Sequence, residues 1–151
     1  MPYDGTEAGI GLGTVLSIGT NASPIVYTAV GELSGLNESG RQAGTDDATN
    51  FESGAREFLP TLIDSGNWAF TGNRIGSDAG QVEMETAFAA LEIRPFKVEL
   101  PKTSAQTVSG DVATFKALIE QWNVTPIEVD KIVKIQGQLK VSGVITWIEG
   151  S

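Results

Sequence analysis

The chain has 151 residues, 19 acids against 10 bases for a net charge of −9, and neither cysteine nor histidine. That length fits a single domain burying roughly 70% of the surface its unfolded chain exposes, while the two missing residue types exclude disulfides, thiolate or imidazole metal sites, and Ser-His-Asp or Cys-His catalysis. The acidic excess disfavours phosphate-neutralising contacts with nucleic acid, which need Lys and Arg to displace counterions.

No positively charged start leads into an apolar stretch, and no apolar run approaches the ~20 residues that span a bilayer, so the expectation is a protein made in the cytoplasm with no membrane partner. Residues 1–12 read as a flexible N-terminal arm. The glycines of Gly9-Ile10-Gly11-Leu12-Gly13 precede a strand rather than joining a strand to a helix, which sets aside a dinucleotide loop. Gly13-Thr14-Val15-Leu16-Ser17-Ile18-Gly19 and the run from Pro24 to Leu33 then predict a β-hairpin around Thr20-Asn21-Ala22-Ser23, a turn of residues that bond their own backbone. Val15, Ser17, Val26, Thr28 and Val30 alternate with Leu16, Ile18, Ile25, Tyr27 and Ala29, a pattern for strands with contacts on both faces.

Residues 34–57 are rich in Gly, Ser, Asn, Asp and Thr, with Leu36 and Phe51 as the large apolar residues, and are expected to form one long polar loop. Loops beyond about 12–15 residues in a compact domain are usually functional or disordered. Glu38, Arg41, Asp46, Asp47, Phe51, Glu52 and Arg56 are therefore candidate contacts with another chain. Asp46, Asp47 and Glu52 lack the alternating acids and central glycine of a calcium loop, and neither a metal nor another cofactor is expected. Over residues 56–66 an apolar cluster is interrupted by Pro60, predicting a short helical turn or an irregular ledge. Residues 67–73 read as a strand with Trp68 and Phe70 on one face.

A helix is predicted over 79–91, where Met84, Phe88 and Leu91 fall at i, i+4 and i+7 with Ala87 beside them as the stripe that meets the core. Asp78 stands at its N-cap with Gln81 three residues on, and Arg94 follows its far end. Glu83 and Glu85, two apart on a helix, do not face each other as a catalytic pair would. Residues 93–100 predict a strand that Pro95 and Pro101 place at a sheet edge. Residues 112–124 form a long strand, with Ala113, Phe115, Ala117 and Ile119 on one side and Lys116, Glu120 and Trp122 on the other. The last strand, 132–147, turns Val133, Ile135, Leu139, Val141, Ile145 and Trp147 inward, with Gly137 and Gly143 as places to bend.

Three passages carry a family resemblance. They are the opening with Gly13-Thr14, Ser23-Pro24, Tyr27-Thr28 and Gly31-Glu32; the passage Arg56-Glu57-Phe58-x-Pro60-x-Leu62-x-Asp64-x-Gly66 leading to Phe70-x-Gly72-Asn73; and the terminal Lys140-Val141-Ser142-Gly143-x-x-Thr146. Together they resemble the tail tube proteins of long-tailed, siphovirus-type bacteriophages. The resemblance implies a non-enzymatic virion subunit that forms hexameric rings stacked into an acidic channel, with DNA passing through without specific binding. It further implies tape measure, terminator and distal tail proteins as partners, and a place in the virion tail after assembly in the host bacterial cytoplasm. The expected fold is α+β and mainly β: an antiparallel β-sandwich or curled sheet with one packed α-helix and a long polar loop. An alternative from another class is a β-sandwich adhesion or carbohydrate-binding module, with Trp68, Trp122 and Trp147 as stacking surfaces for sugars.

Overall fold

The alternation at the start of the chain does produce a hairpin: β1 (Val15–Gly19) runs antiparallel to β2 (Tyr27–Val30), with Leu16 opposite Val30 and Gly19 opposite Tyr27. A computed structural model describes residues 11–151, so the expected arm over 1–12 lies almost wholly outside the described residues. The remaining elements are β3 (Leu33–Ser39), β4 (Gln42–Asp47), β5 (Phe58–Asp64), β6 (Asn67–Asn73), α1 (Ala79–Ala90), β7 (Ile93–Glu99), β8 (Val112–Val124) and β9 (Lys134–Ile148). Seven strands form one antiparallel sheet in the order β2-β1-β7-β8-β9-β6-β3, and β4 and β5 pair apart from it. The fold is thus mainly β with one helix, as its alternating patterns predict.

The sheet curls because β8 and β9 are long enough to serve both of its halves. Their register shifts between Thr114 and Lys116 and again between Ile119 and Gln121, and such bulges bend and twist a strand. Gly143, opposite the first shift, takes φ +89°, a conformation that suits glycine. The curl brings Trp68 of β6 flat against Phe115 of β8, ring centroids 5.5 Å apart, and Phe115 in turn lies 5.9 Å from Phe96 of β7. Around these rings Leu16, Ile18, Val98, Ala117, Ile119, Ile135 and Leu139 are buried.

Four expectations for the strands change. Residues 34–57 do not form one loop, because their first part supplies β3, paired with β6 from Leu33 opposite Gly72 to Ser39 opposite Asn67, and their second part supplies β4. The predicted ledge around Pro60 is β5. Proline is tolerated there because the ribbon is only two strands wide and Pro60 sits where its register with β4 slips, between Ala43 and Thr45. β7 lies inside the sheet, not at its edge: its pairing with β1 ends at Ile18 opposite Phe96, one residue short of Pro95. Trp122 turns to the core side, since the bulge after Ile119 reverses the alternation; it packs on Phe70 at 5.7 Å and its indole donates to Glu85.

Helix α1 packs on β8, β1 and β2 through a face shifted toward its N-terminus. Gly80, Gln81, Met84 and Ala87 are buried, Phe88 packs half-buried against the core, and Leu91, expected in the stripe, is 73% exposed. The helix ends one residue earlier than the pattern suggested. Leu91 adopts the left-handed conformation at φ 54°, and Leu91 and Glu92 donate their N–H groups back to Phe88 and Ala87, as in a Schellman cap. At the other end Asp78 caps Gln81 N–H at 3.0 Å as predicted. The Gln81 side chain does more than a capping box requires. Fully buried, it donates to Gly31 C=O at 3.1 Å and Asn73 C=O at 2.9 Å and accepts from Ile75 N–H at 3.0 Å. It thereby ties the helix to the β2–β3 turn and the end of β6. Arg94 does not cap α1; it is buried, donating to Gly19 C=O at 2.8 Å and pairing with Glu83 at 2.9 Å.

Each buried group left unpaired costs about 1–3 kcal/mol, so Gln81→Ala is expected to destabilise the chain by roughly 3 kcal/mol or more. Met84→Ala is expected to cost about 2–5 kcal/mol. Leu91→Gly should be neutral or stabilising by up to ~1 kcal/mol, because glycine carries no left-handed penalty. Chemical denaturation of the three variants checks this order.

Candidate functional site

The candidate site is a surface, and its centre is the ribbon of β4 and β5. The strands pair antiparallel from Gln42 opposite Asp64 to Asp47 opposite Phe58. Beyond them residues 48–57 fold on themselves: Ala48 N–H reaches Glu57 C=O at 2.8 Å, Glu57 N–H reaches Thr49 Oγ1 at 2.9 Å, and Glu52 N–H reaches Asn50 Oδ1 at 2.8 Å. Asp47 accepts from Thr49 N–H at 2.8 Å and meets Arg56 at 3.3 Å. Its hydrogen bonds from Thr49 hold this carboxyl below the usual aspartate range.

The ribbon's root is fixed to the sheet. Gly40 and Gly66 both adopt positive φ, 79° and 74°, and pass so close that a Cβ on Gly66 would stand 2.7 Å from the Gly40 carbonyl carbon. The Ser65 hydroxyl donates to Gly143 C=O, Val141 N–H donates to Gly66 C=O at 3.1 Å, and Asp64 accepts from Gly66 N–H at 2.9 Å while facing Lys140 at 3.6 Å. The Gly66 N–H first, and then the Lys140 charge, lower the pKa of Asp64.

Past this root nothing covers the ribbon among the described residues. All seven residues of β5 are exposed. Phe58 and Ile63, opposite Asp47 and Ala43, share one face, Leu59 opposite Asp46 lies on the other, and Leu62 stands in the slip between them; they are exposed by 54%, 63%, 61% and 85%, and Phe51 at the tip is fully exposed. Monomeric proteins rarely present so contiguous an apolar surface unless something binds it.

Of the residues predicted from sequence, Glu38 and Arg41 form an ion pair of 3.0 Å at the root, and Asp47 and Arg56 form another near the tip. Asp46 lies on β4, and Phe51 and Glu52 stand at the tip, so the structure spreads these side chains along the ribbon instead of gathering them. Among the described residues no three acids converge as a cation would require. Sequence reasoning missed Phe58, Leu59, Leu62 and Ile63. The two apolar pairs on either side of Pro60 are the available signal. Other surfaces are open as well: the unpaired edges of β2 and β3 at the two ends of the sheet, and a cleft of about 590 Å³ between the sheet's two halves, lined by Leu16, Leu33, Leu36, Trp68 and Val98. Trp68 is buried and Trp122 packs on the core, so neither offers a ring face for a sugar.

No protein-family model matches the chain, and no curated protein matches it in sequence. Solved structures do match in fold. A chain of the anti-feeding prophage (AFP) baseplate, determined by six-fold symmetrised cryo-EM, superposes with a TM-score of 0.69 at 10% identity, covering 95% of this chain and 97% of that one. A chain of the tail of an empty gene transfer agent particle, refined helically with C6 symmetry, gives 0.65 at 16% identity, covering 88% and 95%. A chain of the SPP1 tail tube gives 0.66 at 16% identity, covering 91% and 77%. The fold is shared over nearly the whole described chain.

Because Asp64 has a lowered folded pKa, its contribution to the root is fully present above the unfolded aspartate pKa and is lost as pH falls through the folded value. The Gly66 amide resonance is expected to stay constant from neutral pH down to the ordinary aspartate range and to shift below it. Asp64→Asn should abolish that shift, which an NMR titration measures.

Proposed function

We propose that this chain is a structural subunit of a tail tube of the long-tailed, siphovirus type, closing with its own copies into hexameric rings that stack into a hollow, acidic channel for DNA. The observation that carries the proposal is the bare ribbon. A two-stranded β-ribbon is marginal in water, and one with apolar side chains on both faces becomes stable when another surface takes them up. The proposed surface is a neighbouring copy in the same or the adjacent ring. Open edges at β2 and β3 support the same reading, since an uncovered edge is an aggregation hazard that closure into a continuous barrel removes.

The likeness in fold to chains of the AFP baseplate, the gene transfer agent tail and the SPP1 tail tube supports the role; two of those assemblies were treated with six-fold symmetry. At a net charge of −9 per copy, the stacked rings repel a polyanion that comes near their surface, so DNA travels without being trapped. The role asks no chemistry of the side chains. Terminator, tape measure and distal tail proteins are the proposed partners at the ends and inside, with assembly in the host cytoplasm and residence in the virion tail.

Ser39 pairs with Asn67, so residues 42–64 can be excised and the root closed with a short Gly-Ser turn while the seven-stranded sheet is kept. At high concentration the full chain is expected to form rings and tubes under negative stain. The excised chain should keep its cooperative unfolding and sediment as monomers or unstacked rings. Normal tubes from the excised chain would remove the ribbon from the account. Solitary full-length molecules, even with the partner tail proteins supplied, would defeat the tube reading itself.

A further inference from the structure

The register across β3, β6, β9 and β8 sets aligned rows of side chains on the sheet face turned away from the core. Asn37, Ala69, Gln138 and Gln121 lie opposite one another in one row, and Gly35, Thr71, Gln136 and Asn123 in the next. Asn37, Ala69, Thr71, Gln121, Asn123 and Gln136 are exposed. Neither row holds an acid. Charge on this face lies outside the two rows, at Lys134 opposite Asn73, Lys140 opposite Asn67 and Lys116 opposite Ser142, and at Glu120 in the bulge. The intervening rows point the other way: Leu36 with Phe70, and Trp68 with Leu139 and Ile119, form the core side.

We propose that this amide-rich face is the wall of the bore, an inference that rests on the tube reading above. Helix α1 meets the core side of these strands, where Glu85 binds Trp122, and the strands β2, β1 and β7 curl over that side as well. When copies join along the β3 edge, the bulky side takes the larger circumference and the bare face takes the axis. The rows also carry no large apolar residue that would need a protein partner, in contrast to the ribbon and to Trp147 and Ile148 at the end of β9.

The chemistry suits passage of a phosphate backbone. Amides release no counterions on contact with phosphate, so they hold it weakly. The acids sit elsewhere: Asp46, Asp47, Glu52 and Glu57 on the ribbon, and Glu83, Glu85 and Glu92 against Arg94 and Arg74 beside the helix. The negative field of the tube thus arises behind a neutral contact layer.

Gln138→Cys in the full chain, with Ala69→Cys as a second variant in the same row, tests the assignment because the parent has no cysteine. Each variant is reacted, free and assembled, with a small biotin-maleimide and separately with a maleimide-conjugated protein. In the free chain both reagents are expected to react. In tubes the small reagent should still react, while reaction with the protein-sized one is lost. Reaction of both in tubes would put the face outside, reaction of neither would put it in an interface, and either result overturns the inference while leaving the tube reading standing. If the parent forms no tubes, both readings fall together.

Discussion

A β-ribbon of two strands has no interior, so the apolar side chains of β5 stay exposed until another surface covers them. Burying Phe58, Leu59, Leu62 and Ile63 against a neighbour contributes about 1.5–3 kcal/mol for each side chain, or roughly 6–12 kcal/mol as a gross upper figure. Association costs an estimated 4–15 kcal/mol in lost freedom of motion. The two are of the same order, so a single ribbon contact is marginal. Closure changes the balance, because in a ring and stack each copy is held by several such contacts at once and each later contact is made at high effective concentration. A subunit that stays dispersed when dilute and polymerises cooperatively is the outcome this arithmetic favours.

The ribbon is useful for such contacts only if it leaves the sheet in a defined direction. Its root supplies that direction by packing backbone against backbone at Gly40 and Gly66. Ser65 on Gly143 and Asp64 on Gly66 and Lys140 tie the root to β9. β9 is in turn paired along almost its whole length with β8. Gln81 fastens the opposite end, joining the helix, the β2–β3 turn and the end of β6. A rigid body with an ordered but uncovered extension divides the work: the core fixes geometry, and the extension waits for a partner.

Much of this was legible in the sequence. The hairpin at the start, the strand at Trp68 and Phe70, the extent of β8 and the Asp78 cap are local patterns of period two or of capping chemistry, which need no tertiary information. The misreadings come from features that local patterns do not show. Residues 34–57 are too polar to announce strands, and β3 forms because β6 offers it a ladder at Leu36 and Phe70, a non-local partner that composition does not reveal. Pro60 reads as a breaker, although a ribbon only two strands wide tolerates it. The bulge at Gln121 reversed the side of Trp122, since a single extra residue flips all that follow. Leu91 kept the helical spacing but lost its place when the helix ended before it. The site residues picked for charge lie on the ribbon, yet its apolar side chains dominate the energetics, and they were hidden by the expectation of an irregular ledge.

Net charge invites the picture of a bore lined with acids, and the register shows why a sheet would resist that arrangement. Directly opposed residues on paired strands stand about 4.5–5.5 Å apart at Cβ, where like charges are destabilising. A row of acids running through β3, β6, β9 and β8 would repeat that repulsion at every pairing, and joining copies edge to edge would extend it around the ring. The rows found here are Asn37-Ala69-Gln138-Gln121 and Gly35-Thr71-Gln136-Asn123, which avoid the penalty and let neighbouring amides interact. With a screening length of about 8 Å at physiological salt, charges set one layer back act on the phosphates that pass closest to the wall. Placing acids on the ribbon and helix and amides on the wall therefore separates two demands, a repulsive field and a stable sheet, that a single row of carboxylates could not meet together.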